Sequence, residues 1–375
     1  MVFFRAFRFD ILIAISIIVA IIVGIIYMAL TRGGRSKSQT DIDYVSRCHK
    51  LIPYNSLTIS PIAPDHIGDH RNPLRDYYIK CAFNACSSGN FEGGAVELCA
   101  LDNCLKNGSR GLDFEIYSVD GEPIISCSNY RKGTTKGTDN NLNFNEVMRY
   151  IDINAFSETF CPKNYTDPLL INLRIHVEDE NLIKDIYNKI ATTIADVFNK
   201  SGRLIHSPYK GKKSIGEKPL LDCRRCVIIM VDGTNIPLFE SSNLAYYTNI
   251  HSTPFSQETR RYTNMEIRTL SENDEDKGEL IKHHNNGKMS MVIPEGGPRN
   301  LSFVEHKELG VSMFFMCNQL DDDNIKEYHK FFSEGGTSFV KKPQNLISIP
   351  VVEKTPEQYT SKDVNKKGAY YEFSL

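Results

Sequence analysis

Asp113 and Glu115 alternate within the extended run Gly111–Ser118, so both side chains face the same side of a strand. On an open surface they would be an ordinary solvated pair. Inside a barrel they would be two like charges in the lumen, and such a pair stays ionised only beside a compensating cation. A second run, Pro168–His176, ends on Arg174 and His176, again two residues apart and on one face. Arg174 stays charged at any working pH. His176 is a proton carrier by type, although a hydrogen-bonded core histidine is the plainer reading. Cys127, near the end of the run Glu122–Ser128, reads either as an activated nucleophile or as an inert buried thiol, the second being the blander. Cys223-Arg-Arg-Cys226 is a lone CxxC with no second pair or histidine at zinc spacing, which argues for buried thiols rather than a metal site.

The chain that must position these residues has 375 residues, 41% hydrophobic and 10% aromatic, enough for a large buried core. A net charge of −2 gives no electrostatic case for nucleic acid as a partner. Ten cysteines in this length do not make a disulfide scaffold. The sequons at Asn107, Asn164, Asn199 and Asn300 do not fix a compartment. After a flank over 1–10, the run 11–30 carries no charge. A helix rising about 1.5 Å per residue over that length matches a bilayer core of about 30 Å, which predicts one transmembrane helix and a single-pass membrane protein. Arg32, Arg35 and Lys37 beyond the span outnumber Arg5 and Arg8 before it, and by the positive-inside tendency this puts the rest of the chain on the cytosolic side. Residues 31–74 are polar and read as a tether.

Strand-like runs follow at Tyr77–Asn84, Gly111–Ser118, Glu122–Ser128, Pro168–His176, Cys226–Gly233, Leu244–Ser252, Met289–Glu295 and Val311–Gln319. Helix-like runs fall between them at Ala95–Asn107, Phe144–Phe160, Glu180–Asn199 and Gln257–Leu270. This alternation predicts an α/β fold, a (β/α)₈ barrel of TIM type, whose functional residues sit at the C-terminal ends of the strands. Ser271–Gly278 reads as a solvated acidic loop and 346–375 as a polar tail.

Three stretches, in order, carry a resemblance to a known family. Tyr78-Ile-Lys-Cys-Ala-Phe-Asn84 looks like an opening strand that in the family ends in Ser-His-Asn. Asn107-Gly-Ser-Arg-Gly-Leu-Asp-Phe-Glu115 followed by Gly121-Glu-Pro-Ile-Ile-Ser-Cys127 is similar to Gly-x-Arg-x-x-Glu-x-Asp and a next strand ending in histidine. Ile293-Pro-Glu-Gly296, Gly310-Val-Ser-Met-Phe-Phe-Met-Cys-Asn-Gln319 and Gly335-Gly-Thr-Ser-Phe-Val-Lys-Lys-Pro343 are similar to the family's second conserved box. The whole resembles the catalytic barrel of the phosphoinositide-specific phospholipases C, with 75–233 as the X-box half and 241–345 as the Y-box half.

The resemblance implies a phosphoric diester hydrolase that cleaves phosphoinositides in lipid signalling, with two histidines for acid–base work and a calcium ion for phosphoryl charge. Here the histidine positions fall on Phe83 and Cys127. Phenyl carries no proton, and a thiol near pKa 8.5 replaces an imidazole near 6.5 poorly. The calcium ligands fall on Asn84, Asp113, Glu115 and Arg174, so a cation takes the place of one ligand and no metal or other cofactor is expected. The phosphate-binding lysines fall on Val231-Asp232-Gly233. Ser256 resembles a substrate-contacting serine, and Arg299 lies one residue from an expected arginine. The expectation is a membrane-anchored, catalytically impaired phospholipase C-like protein with a binding or structural role, its partners the lipid bilayer and a phosphoinositide headgroup. The alternative is an active, calcium-independent phosphodiesterase using Arg174 with His176 or Cys127.

Overall fold

The computed structural model describes residues 71–348 except 130–135, 207–213, 234–235, 255, 257 and 273–274, together with 18–19, 21–23 and 48. Its strands are β1 (Tyr77–Ala82), β2 (Gly111–Val119), β3 (Glu122–Ser126), β4 (Leu142–Asn143), β5 (Leu169–Ile175), β6 (Val227–Gly233), β7 (Ile250–His251), β8 (Thr259–Thr263), β9 (Met289–Ile293), β10 (Met313–Met316) and β11 (Phe339–Lys341). Both β1 and β5 are buried along their whole length. Parallel strands in a barrel have both faces covered, and their sequences are accordingly near-continuous apolar runs. Eight parallel strands form one nearly closed barrel in the order β7-β6-β5-β2-β1-β10-β9-β8. Cys81 of β1 lies opposite Phe315 of β10, so early and late parts of the chain share one wall. The row ends at β7 and β8, which meet through a single parallel bridge between Thr253 and Arg260.

Helices pack outside this wall: α1 (Leu98–Lys106), α2 (Phe144–Asn154), α3 (Glu180–Ile194), α4 (Ile236–Glu240), α5 (Asn243–Tyr247), α6 (Asn264–Glu272), α7 (Glu275–Gly287), α8 (Phe303–Lys307) and α9 (Asp323–Glu334). The spacing of Ile183, Ile186, Ile190 and Ile194 puts all four on one face of α3, and all are fully buried. Side-chain caps set the helix starts: Asp179 accepts from the Asn181 amide at 2.9 Å, and Asp322 from the Ile325 amide at 2.8 Å. A second apolar cluster lies under α8 and α9, gathering Tyr78, Phe303, Phe314, Tyr328 and Phe332.

Five expectations are corrected. Glu122–Ser126 is not a barrel strand; it folds back antiparallel on β2 as a hairpin. The eighth barrel strand is instead Thr259–Thr263, inside the run expected to be helical. Of the expected strand Leu244–Ser252 only Ile250–His251 pairs, its first part being α5. The acidic stretch Ser271–Gly278 belongs mainly to α6 and α7 rather than to a loop. The expected single-pass membrane protein is overturned: among the described residues no helix is long and apolar enough to cross a membrane. Most of 11–30 lies outside the described residues, as do most of the expected tether and the tail from 349 onward. Among the described residues one pair of cysteines is joined, Cys48 to Cys99 of α1, and the others are free thiols.

Beyond β11 the chain buries a lysine. Lys342 Nζ donates to Ser312 Oγ at 3.0 Å and to the Asn285 carbonyl at 3.4 Å. Burial pushes its pKa down to about 7, against the opposing pull of Asp76. In the unfolded chain a lysine keeps its proton to about pH 10.4. Between those values the unfolded state binds more protons, so stability rises with pH, by at most about 1.4 kcal/mol per unit. Melting temperatures from about pH 6.5 to 9.5 should therefore move in favour of wild type relative to Lys342→Met, whose side chain does not titrate. Parallel profiles would mean that Lys342 stays charged in the folded protein.

Candidate functional site

Register builds the site. In the parallel pair β2–β5, Glu115 lies opposite Arg174 and Asp113 opposite Asn172. Arg174 Nε donates to Asp113 Oδ1 at 2.9 Å and its Nη2 to Oδ2 at 2.7 Å, a two-pronged contact. Its third nitrogen, Nη1, reaches Glu115 Oε1 at 2.9 Å. Asn84 closes the group from the end of β1. Its backbone is left-handed at φ 44°, a conformation asparagine tolerates better than most residues. That turn brings its amide to Asp113 Oδ2 at 3.1 Å and its Nδ2 to Glu115 Oε1 at 3.1 Å, while its Oδ1 accepts from Arg174 Nη2 at 2.9 Å.

The remaining lone pairs are also taken. Asn172 Nδ2 donates to Asp113 Oδ1 at 2.7 Å. Glu115 Oε2 accepts from the Tyr117 hydroxyl at 2.7 Å and the Ser128 amide at 2.9 Å. Each of the four carboxylate oxygens therefore accepts two hydrogen bonds, which is their ordinary capacity. Burial by itself would lower the Arg174 pKa, but the nearby charges of Asp113 and then Glu115 outweigh it and hold the guanidinium more firmly protonated than usual. Burial, reinforced by Glu115, raises the Tyr117 hydroxyl, which stays a donor.

The calcium ion implied by the resemblance does not fit this group. Its would-be oxygen ligands on Asn84, Asp113 and Glu115 all point at a guanidinium, and a divalent cation would have to share their space with Arg174.

Phe83 stacks on Arg174, with its ring centre 4.4 Å from the guanidinium carbon, and shares a cleft of about 330 Å³ with Glu115, Arg174, His176, Asp232 and Arg261. A ring there shields the charge rather than moving a proton. Cys127 is buried and does not line the cleft; burial and then Glu115 push its thiol well above the usual range, which argues against a nucleophile. His176 stacks on Tyr117 at 5.2 Å, and its Nε2 has no hydrogen-bond partner. Burial lowers its pKa although Glu115 opposes, which favours the neutral imidazole. None of the hydrogen bonds to Asp113 or Glu115 comes from a histidine.

Two expected residues lie elsewhere. Ser256 Oγ accepts from the Glu258 and Thr259 amides at 3.3 and 3.1 Å, bracing the approach to β8 rather than the cleft. Arg299 is exposed outside it. Arg261 takes the part that sequence reasoning missed: its Nη1 pairs with Asp232 Oδ2 at 2.9 Å, both side chains 19% exposed, at the mouth of the cleft. A signal was available. Thr263 and Glu266 form a capping box, with Glu266 N donating to Thr263 Oγ1 at 3.1 Å and Thr263 N to Glu266 Oε2 at 2.7 Å. Thr-x-x-Glu marks a helix start, which leaves Thr259–Thr263 outside the helix and free to be a strand.

A nearly closed parallel barrel, with two carboxylates of β2 meeting Asn84 beyond β1 and Arg174 of β5 at its strand ends, has the fold of the phosphoinositide-specific phospholipase C catalytic barrel. The solved structure of S. officinalis PLC21 matches it with a TM-score of 0.59 at 17% identity, over 76% of this chain and 38% of that one. L. pealei PLC21 matches with a TM-score of 0.58 at 16% identity, over 75% and 38%. The chain thus spans well under half the length of these structures, and at such identities the likeness is one of fold. No protein-family model matches the sequence, and no curated protein does.

Proposed function

We propose that this barrel binds a phosphorylated inositol headgroup without cleaving its phosphodiester. The observation that carries the reading is the Arg174 guanidinium, held by both carboxylates and Asn84 and covered by Phe83. A cation of this kind takes the place of a metal beside the carboxylates, offsetting one of their two charges. It cannot take the proton of an attacking hydroxyl, and neither Phe83 nor the buried Cys127 can do so in its place. Acid and base groups are each worth about 10²–10⁴ in rate, so losing both costs up to about 10⁴–10⁸, less where their effects overlap. Arg261, part-exposed beside Asp232, is the cation that an entering phosphate would meet.

The test uses the full chain with phosphatidylinositol vesicles, with calcium or with a chelator. Binding to the vesicles with no more than a trace of inositol phosphate released, equal in both conditions, is the expected result. Turnover of about 1 s⁻¹ or more, typical of an enzyme, would overturn it. If that turnover were calcium-independent and lost in His176→Ala, it would favour the active phosphodiesterase, for which the one supporting observation is a neutral His176 on the cleft wall.

A further inference from the structure

The cysteine pair Cys223 and Cys226 has no part in the cleft, and its geometry is specific. Arg224 has φ −54° and ψ 136°. Arg225 has φ 57°. The Cys226 amide donates to the Cys223 carbonyl at 3.1 Å. These values define a type II β-turn with the two cysteines at its first and fourth positions. That turn type requires a left-handed residue at its third position, where glycine is the usual choice. An arginine holds the conformation here because its amide is anchored to the Thr166 carbonyl at 2.9 Å. The flanks are anchored too: Cys226 O accepts from the Leu169 amide at 2.9 Å as β5 begins, and β6 starts at the next residue. The turn is therefore a fixed part of the barrel's N-terminal end. By definition its end Cα atoms lie within about 7 Å, and disulfides span about 4.4–6.8 Å.

Exposure adds a second, independent argument. Of the free cysteines among the described residues, all are buried except Cys226, which is partly exposed. A reagent arriving from solvent meets that sulfur first, and its turn partner is fully buried beneath it. Arg225 on the same turn is exposed and Arg224 partly so, which attracts an anionic reagent. Burial raises both thiols, Cys223 up to about 12 with Cys226 adding to it, and Cys226 against the opposing pull of Lys218 and Arg203, so exposure makes Cys226 the first to react and Cys223 the second partner.

We propose that Cys223 and Cys226 are a reversible thiol–disulfide exchange site on the β6 entry turn, oxidised by an anionic low-molecular-weight disulfide. The Cys226 thiolate attacks one sulfur of the reagent disulfide. The reagent S–S bond breaks, and one reagent thiolate leaves and takes up a proton. Cys223, losing its proton to solvent, then attacks the Cys226 sulfur of the mixed disulfide and releases the second reagent thiol. The two cysteines are oxidised to one intrachain disulfide, and one reagent disulfide is reduced to two thiols.

The experiment equilibrates the folded full chain in mixtures of oxidised and reduced glutathione, quenches with acid, alkylates after unfolding and maps the peptides by mass. The expected product is the 223–226 peptide short of two hydrogens, formed before any other buried cysteine changes and reversed by excess reduced glutathione. Cys223→Ser should stop the reaction at a glutathione adduct on Cys226. Cys226→Ser should slow modification of Cys223 by an order of magnitude or more. Retention of both thiols at the most oxidising ratio, a stable adduct on wild-type Cys226, or earlier oxidation of another pair would each overturn the proposal. Because the readout is the state of the sulfurs, it is independent of what the cleft binds.

Discussion

Arg174→Ala is expected to lower stability by about 3–5 kcal/mol, because it strands two buried carboxylates without their cation. The side chains concerned are 0% and 4% exposed for Asp113 and Glu115 and 7% for Arg174, so water gives little relief. Urea unfolding reads the loss as a lower midpoint at unchanged slope. Arg174→Lys keeps the charge but not the fork, and recovers part of the loss. Arg174→Glu turns the site into three carboxylates and the Asn84 carbonyl, a set of hard oxygens suited to calcium. That variant should become more stable when calcium is added, while wild type is indifferent to it. A loss below about 1 kcal/mol for the alanine variant, within the range of an exposed ion pair, would show that the guanidinium is not what balances the pair. A calcium-stabilised wild type would show the same.

Phe303→Ala should cost about 3–5 kcal/mol by a different route, the cavity left by a large ring. Phe303 is 1% exposed and sits at the hub of the outer cluster. Its ring centre lies 4.8 Å from Phe331, 5.0 Å from Phe314, 5.2 Å from Tyr328, and 6.2 Å from both Tyr78 and Phe332. All five of these partners are themselves aromatic residues on β1, β10 and α9 that cannot easily close over the gap. The Arg174 group lies across the wall and shares no partner with this cluster, so the double variant should be additive within about 0.5 kcal/mol. A loss smaller than about 1 kcal/mol, or strong coupling with Arg174, would show that the two regions are not separate.

The parts of the site readable in advance were those set by strand periodicity. Asp113 and Glu115 share a face because side chains alternate, and Arg174 meets them because β2 and β5 are neighbours in parallel register. Partners that depend on a turn or on tertiary contact were not readable. Nothing local in Tyr78–Asn84 says that Phe83 covers a guanidinium, or that a left-handed Asn84 delivers two donors to the carboxylates. The barrel was legible as a class, while two of its strands were not. Thr-Arg-Arg-Tyr-Thr of β8 is polar because Arg261 and Thr263 face the cleft, so a hydrophobic pattern cannot find it. Pro-Ile-Ile of β3 is apolar because it packs on β2 and α3, so the pattern overstates it. Ser256 and Arg299 rested on the resemblance alone, and neither lines the cleft, Ser256 capping the approach to β8 and Arg299 standing exposed.

The uneven closure of the barrel divides the cleft mechanically. β5 and β6 are matched residue for residue along Leu169–Ile175, whereas β7 contributes two residues and touches the β8 side through one bridge. Arg174, Asp113, Glu115 and Asn84 all stand on the continuous arc of β1, β2 and β5. Asp232 and Arg261 face each other across the short strand, so their ion pair acts as a clasp over the weakest join. One wall of the cleft is therefore stiff and internally paired, and the other is compliant. An anion that draws Arg261 away from Asp232 loosens the join it crosses, and the pocket can widen on that side while the guanidinium on the opposite wall stays where the carboxylates hold it.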